Sequence, residues 1–392
     1  MRRASALLAT ACAAATSLAL ETAPSAEGTE RLSLRAELGA EYDTNAQRTE
    51  VVGSGGPPVI QSPLGRGVLT AQLSDQIAPG HNIALAATVG GKWFSKPEAQ
   101  GEDVAVLSTS EQYRARLGAR GNAGLAAFYY EAFQRDSDAA SATPASQRGD
   151  FRSLVPTARL GHAVGESGEL ALTAGYRWLV FKPNHDYSFG APTAALDLRW
   201  LAESADATVD WELGAGVGVE PRFFEGIALG KGMCAANESC PPVPNSTNTK
   251  RADQLYTGHA ELTRTGAVLL GFGYAAQWNH SNSIGETVQR HFISLRLTAP
   301  LPLGFYLAAR GELLIARYAD PVVLAANAAT PTLYPDIDRE NRSSARAELS
   351  RTVSDHLQLI ARYTLYVSEL GTSTGHYNRQ TFLLSAAITF DQ

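Results

Sequence analysis

The sequence carries little charge. Lys, Arg, Asp and Glu make up 18% of its 392 residues, whereas about a quarter is usual in soluble domains. The formal net charge is -6, so the chain has none of the basic excess that nucleic-acid binding requires. We therefore expect no nucleic-acid partner.

Long apolar runs are also missing after the N-terminus. A membrane helix needs about 20 consecutive apolar residues, and no segment beyond residue 26 approaches that length. At the N-terminus, Arg2 and Arg3 precede an Ala-rich apolar stretch and then small residues, which is typical of a secretory signal peptide. We predict a signal peptide over 1–26, removed on export, and a single domain over 27–392. A lipoprotein signal centred on Cys12 is the less favoured alternative.

Cysteine is scarce as well. Of three cysteines, the mature chain would keep only Cys234 and Cys240. Export places this pair in an oxidising compartment, so we predict a disulfide between them. Metal binding is the weaker alternative because no His or second Cys pair accompanies them. We expect no metal site and no cofactor.

The chain is instead rich in alternating apolar and polar residues. From Leu32 to Tyr42, apolar side chains alternate with charged or small ones, which gives a strand one apolar and one polar face. The pattern recurs as far as Phe390 and predicts about sixteen strands. The predicted strands are Leu32–Tyr42, Gly67–Ile77, His81–Phe94, Leu107–Arg120, Ala123–Phe133, Arg152–Ala163, Glu169–Phe181, Ser188–Glu203, Ala205–Pro221, Asp253–Thr265, Ala267–His280, Thr287–Ala299, Leu303–Arg317, Asn341–Val353, His356–Glu369 and Tyr377–Phe390.

Short connections alternate with longer ones along the chain. Tight turns such as Ala78–Gly80 and Gly121–Asn122 alternate with long segments, and this order is typical of periplasmic turns and extracellular loops. We therefore predict an all-β fold, a single transmembrane antiparallel barrel in the outer membrane, surrounded by lipid. The predicted long loops are Asp43–Arg66, Ser95–Val106, Gln134–Phe151, Arg222–Ala252 and Tyr318–Glu340.

The two faces of the predicted strands differ in chemistry. Large apolar side chains occupy one face and charges the other, and a charge on a lipid face would cost about 2–4 kcal/mol at the midplane. Aromatic residues predict two interfacial girdles, with Tyr42, Trp93, Tyr113, Tyr129, Trp178 and Trp278 at the long-loop end and Trp200, Phe305 and Phe390 at the short-turn end. The predicted pore-lining residues are Arg114, Arg116, Arg120, Arg159, Arg177, Arg199, Asp210, Glu212, Arg296, Arg310, Glu312, Arg346, Glu348 and Arg362.

In these features the chain resembles Gram-negative outer-membrane β-barrel proteins of porin-like size. The last strand, Thr381–Phe390, is similar to the C-terminal strand that the barrel-assembly machinery reads, so the resemblance implies that machinery as a partner. Gln134–Phe151 lacks the constriction-loop motif of general trimeric porins, so that identity is not implied. Tyr42-Asp43-Thr44-Asn45 is similar to a Tyr-Asp-Ser-Asn element in barrels of exopolysaccharide-secretion systems.

Three functions remain open. The first is a passive channel for small anionic or polar solutes, because Arg outnumbers carboxylate on the predicted lumen face; Arg114, Arg116 and Arg120 would form its selectivity ladder. The second is a non-enzymatic barrel of an envelope machine for polysaccharide secretion or surface motility, with partners in that complex.

The third function is an enzyme at the barrel rim, which we disfavour. The eight His residues are scattered, and His259 has only Glu261 as a partner at matched height, so we predict no catalytic residue. Lumenal charges also have a purely structural interpretation, as cross-strand ion pairs. Gly214, Gly216 and Gly218 are interpreted as lumen-face glycines that leave room for a loop or for bulky neighbours.

Overall fold

A computed structural model describes residues 31–47, 58–134, 150–182, 185–203, 209–231, 244–319, 343–367 and 378–391. The predicted signal peptide and the predicted Cys234–Cys240 disulfide lie outside these residues. Among the described residues, no helix has the length and apolar character needed to cross a membrane.

The described residues form one closed barrel of sixteen antiparallel strands, each paired with its neighbours in the chain. The ring closes where β1 pairs with β16, from Ser33 opposite Asp391 to Asp43 opposite Thr381. The predicted fold class and strand number are thus confirmed. The strands are β1 Arg31–Asp43, β2 Ser62–Ala78, β3 His81–Phe94, β4 Val104–Leu117, β5 Gly121–Gln134, β6 Asp150–Val164, β7 Gly168–Lys182, β8 Phe189–Glu203, β9 Asp210–Lys231, β10 Pro244–Thr265, β11 Leu269–Ser281, β12 Val288–Pro300, β13 Phe305–Tyr318, β14 Ser343–Thr352, β15 Leu357–Val367 and β16 Asn378–Asp391.

The outer surface of the barrel is an exposed apolar belt. Leu38 is 71% exposed, Leu384 69% and Trp278 62%, and all three lie on the outward face. Exposing such an apolar surface to water would be unfavourable. In a bilayer, by contrast, a closed barrel makes all the hydrogen bonds that its backbone groups need. The chain is therefore an integral outer-membrane β-barrel protein, as its resemblance implies. The short-turn end faces the periplasm and the long-loop end the exterior.

Several local predictions are wrong. β9 and β10 are 22 residues each, so much of the predicted loop Arg222–Ala252 is strand. That segment lacks clean alternation, and its pairing is irregular between Ser246 and Ala252. β4 ends at Leu117 and Arg120 lies in the following turn. Tyr113 lies at the short-turn end, where its hydroxyl is 2.7 Å from Nδ1 of His81.

The Tyr42–Asn45 segment closes the seam between the first and last strands. Asp43 is fully buried, and its Oδ2 accepts a hydrogen bond from Nε of Arg379 on β16 at 2.9 Å. Its Oδ1 accepts one from the backbone N–H of Asn45, and the Thr44 hydroxyl accepts one from the N–H of Gln380. The motif is therefore explained by local structure at the seam.

Removing the Asp43 carboxylate should destabilise the barrel. Asp43→Ala leaves the Arg379 guanidinium buried without its acidic partner, a change that costs about 3–5 kcal/mol in buried pairs. We expect the free energy of unfolding, measured by urea titration in lipid vesicles, to fall by about this amount. Asp391→Ala, at the exposed end of the same seam, is the control and should change it little. Equal effects of the two substitutions would contradict the role of the pair.

Candidate functional site in the barrel lumen

The lumen face consists of the strand positions that alternate with the apolar belt. The structure places all but one of the predicted pore-lining residues on this face, although Asp210 is the exposed first residue of β9. Arg120 is the exception, because it lies in an exposed turn outside the strands. The prediction that Arg114, Arg116 and Arg120 form a selectivity ladder on one strand is therefore wrong for Arg120.

Most of the lumenal arginines are paired with carboxylates. Some pairs lie two residues apart on one strand, as in Arg346–Glu348, at 3.2 Å. Others join neighbouring strands, as in Arg159–Glu169 at 2.8 Å and Arg362–Glu348 at 2.8 Å. This arrangement is the one expected if the charges stabilise the wall. The remaining pairs of predicted residues are Arg177–Glu220, Arg199–Glu212, Arg296–Glu261 and Arg310–Glu312.

Several lumenal contacts pass over a glycine on the intervening strand. Arg296 on β12 reaches Glu261 on β10 across Gly271 of β11. A Cβ at position 271 would lie 2.9 Å from Nε of Arg296, so a side chain there would block the contact. Asn122 on β5 likewise donates to Glu169 on β7, at 3.2 Å, across Gly161.

His259 has an acidic partner that the sequence did not indicate. Its Nε2 is 3.7 Å from Oδ1 of Asp197, two strands away, and the two side chains meet over Gly216. A Cβ at Gly216 would lie 2.5 Å from Cε1 of His259. This confirms the interpretation that Gly216 leaves room for bulky neighbours. The sequence did not indicate the pair because it does not contain the registers in which β9 pairs with β8 and β10.

The lumen face of β4 carries two arginines and no acid. Its lumen-facing positions, in order, are Val, Val, Ser, Ser, Gln, Arg114 and Arg116. Nε of Arg116 donates to the backbone carbonyl of Gly118 at 3.2 Å. The electrostatic neighbours of Arg114 include the cations Arg159 and Arg199 and the carboxylate of Glu169. Cationic groups therefore converge near the short-turn end of β4.

Burial changes along the lumen. Near the short-turn end, the side chains of Arg35, Glu212 and Glu261 are 37–42% exposed. Near the long-loop end, Asp43 and Asp253 are at most 1% exposed. Among these residues, the side chains near the short-turn end are therefore the more exposed.

An apolar cluster lines the long-loop half of the lumen, where we had predicted a polar wall. Phe151 packs between Tyr130 and Phe181, with ring centroids 5.5 and 5.6 Å apart. The sequence signal was a loss of alternation, since Tyr176–Phe181 is apolar at nearly every position. We call this set the upper aromatic cluster; it comprises Val106, Tyr130, Ala132, Phe151, Leu179, Phe181, Phe189, Ala191 and Phe224.

The described part of the lumen offers no evident site for a metal. Its residues contain no group of three or more His, Cys, Asp or Glu side chains placed to hold an ion. The lumenal carboxylates lie instead against guanidinium groups, which supply the positive charge that a cation would otherwise bring.

No family model and no curated protein sequence matches the chain. Solved structures resemble it in part. A loop L8 deletion mutant of OmpT, an outer membrane protein of Vibrio cholerae, is 11% identical with a TM-score of 0.41, and the match covers 92% of this chain and 99% of that one. OccK11 of Pseudomonas aeruginosa is 11% identical with a TM-score of 0.42, covering 93% and 96%. CdiB from Acinetobacter baumannii is 9% identical with a TM-score of 0.46, covering 91% and 60%. At these values the likeness adds nothing about function to the geometry of the barrel.

Gly271→Ala should separate Arg296 from Glu261. The added methyl group would displace the flexible guanidinium from Glu261, and loss of a partly exposed ion pair of this kind costs about 0.2–1 kcal/mol. We expect a matching decrease in the free energy of unfolding, measured by urea titration in vesicles. Gly214→Ala is the control, because it lies on the same lumen face and a Cβ there meets nothing within 4 Å. If both variants unfold at the same urea concentration, the contact over Gly271 has no such importance.

Proposed function

We propose that the protein is a passive channel of the outer membrane for small polar solutes, with a preference for anions. A single observation carries this proposal: the lumen wall is lined by charged side chains, and the lumen face of β4 carries two arginines and no acid. A wall of this kind lowers the energy of an anion relative to a cation as either passes along it.

The anion preference should be modest and local. Most arginines of the wall lie within 4 Å of a carboxylate, as Arg159 does with Glu169, so their fields largely cancel at a distance. We propose Arg114 and Arg116 as the selectivity patch, because they place two positive charges side by side on one lumen face. Polar uncharged solutes would pass by hydrogen bonding to the same paired side chains.

We also propose that the barrel is not an enzyme. The side chains of a catalytic acid–base pair lie within hydrogen-bond reach of each other, about 2.6–3.2 Å. The 3.7 Å separation of His259 and Asp197 exceeds that reach, and the pair lies in the mid-wall rather than at the rim. An envelope-machine role receives no separate support, since the Tyr42–Asn45 segment already serves the seam.

Two partners follow from the barrel itself and belong to the same proposal. The apolar belt would be covered by outer-membrane lipid. β16, whose segment Thr381–Phe390 resembles a sorting strand, would be bound by the barrel-assembly machinery during insertion.

Current through single barrels in planar bilayers tests the channel directly. The wild type should be compared with a variant whose 135–149, 232–243 and 320–342 connections are shortened. We expect an ohmic current with an anion-biased reversal potential in the shortened variant. A shortened barrel that folds but carries no current would refute the channel and favour a scaffold within an envelope machine.

Neutralising the β4 patch should remove the anion preference. In Arg114→Gln/Arg116→Gln, we expect the reversal potential in a tenfold salt gradient to shift toward the value for a cation-preferring pore, because two positive charges leave the wall. Arg264→Gln is the matched control, since Arg264 faces lipid on β10, and should leave the reversal potential unchanged. An unshifted potential in the double variant would show that selectivity does not depend on β4.

A further inference from the structure

Three arginines lie side by side on the lumen wall formed by β12, β13 and β14. Arg296 is the register partner of Arg310, and Arg310 is in turn the register partner of Arg346. Residues directly opposite each other on neighbouring strands have Cβ atoms about 4.5–5.5 Å apart, and like charges in such positions are destabilising. We call these three residues the arginine row. On its own, such a row is electrostatically unfavourable.

The carboxylates that offset the arginine row lie around it rather than within it. One is two strands away on β10, one lies on β13 toward the long-loop end, and one lies on β14 toward the short-turn end. The three guanidinium groups are therefore drawn to different sides. The pairs are Arg296–Glu261, Arg310–Glu312 and Arg346–Glu348, and Arg362 also contacts Glu348, at 2.8 Å. Four arginines thus share three glutamates, which leaves one positive charge in excess.

Arg310, at the centre of the row, is only partly satisfied. Its Nη2 donates a hydrogen bond to Glu312, whereas its Nε has no hydrogen-bond partner among the described residues. A buried donor without a partner is unfavourable, and more so when it carries charge. The side chains of Arg296, Arg310 and Arg346 are 21%, 18% and 29% exposed, so a solute in the lumen can contact the row.

We propose that the arginine row is a binding site for an oxyanion, that is, for the carboxylate or phosphate group of a solute. The inference rests on the proposed channel function and adds the chemical class of solute that the channel would bind. The negative charge of the oxyanion would reduce the repulsion within the row. Its oxygens would accept hydrogen bonds from guanidinium groups, which are stronger than those between neutral groups.

The geometry favours an oxyanion over a spherical anion such as chloride. The planar fork of N–H donors on a guanidinium group matches the oxygens of a carboxylate or a phosphate. Neighbouring strands are about 4.8 Å apart, so two arginines of the row can each donate to a different oxygen of one group. A chloride ion has a single centre and cannot use both forks in this way.

The arginine row and the β4 patch lie on different sides of the lumen. β13 is nine strands along the ring of sixteen from β4, so the two features face each other across the barrel. They would have different roles. Arg114 and Arg116 would favour anions over cations, whereas the row would select one class of anion by direct contact.

Equilibrium binding of inorganic phosphate and of acetate tests the site without any current. The wild-type barrel in detergent micelles should bind at least one of them saturably in isothermal titration calorimetry. Binding of phosphate alone would identify phosphorylated solutes as the class, and binding of acetate alone would identify carboxylates. Binding of both would include both classes. The site is refuted if neither anion binds saturably.

Arg310→Gln should weaken this binding because it removes the central guanidinium of the row. We expect the dissociation constant to rise roughly tenfold, equivalent to about 1.4 kcal/mol. Arg351→Gln is the matched control. Arg351 lies on the same strand as Arg346 but faces outward beside Phe305, 5.2 Å from its ring centroid, so its loss should leave binding unchanged. Equal dissociation constants in all three proteins would overturn the site.

A charge-balanced variant separates direct contact from the field of the wall. Arg310→Gln/Glu312→Gln removes one charge of each sign, so the net charge of the wall is kept and Glu312 is not left without its partner. It should bind the anion as weakly as Arg310→Gln does, and it replaces that variant if the single substitution prevents folding. Binding at the wild-type strength would show that Arg310 makes no contact with the anion.

The failure of the site and the failure of the channel are distinguishable. A loop-shortened barrel with an anion-biased current, together with a wild type that binds neither anion, would overturn the site and leave the channel intact. A loop-shortened barrel without current would refute the channel, whereas saturable binding that depends on Arg310 would still support the site.

Discussion

The closed ring of backbone hydrogen bonds is the constraint on which the rest of this structure depends. Inside a bilayer there is no water to satisfy an unpaired N–H or C=O group, so the first strand must pair with the last along its length, as β1 does with β16. Closure fixes which side chains face lipid, because each strand exposes alternate residues. The apolar belt, the lumen wall and the seam at Asp43–Arg379 all follow from that requirement.

Closure also explains why the lumen is rich in both charge and glycine. Polar side chains excluded from the belt are concentrated on the inner wall, where they need partners. The partner is often two strands away, as Asp197 is from His259 and Arg296 from Glu261. Gly216 and Gly271 lie between them without a side chain, which allows the pairs to form. These glycines therefore stabilise the wall indirectly, because they leave the space in which the charged pairs form.

Periodicity and turn chemistry predicted the sixteen strands, the outer face and most of the inner one. β3, His81–Phe94, shows alternation clean enough to give its ends correctly. Where alternation fails, the prediction fails too. The extensions of β9 and β10 were predicted as a loop. The lumen wall around Phe181 was predicted to be polar but is apolar. Contacts between distant strands, such as Asp197–His259 and Arg251–Glu286, depend on pairing registers that a single sequence does not contain.

The paired wall has a consequence for the range over which this lumen acts. An arginine and a carboxylate about 3 Å apart, such as Arg159 and Glu169, present a dipole rather than a monopole to anything beyond the spacing of neighbouring strands, about 4.8 Å. Dipole fields decay faster with distance than those of single charges, so an ion on the barrel axis would sense little of most of the wall. A solute in such a lumen would therefore be recognised only at short range, through contacts with the donors and acceptors of the wall.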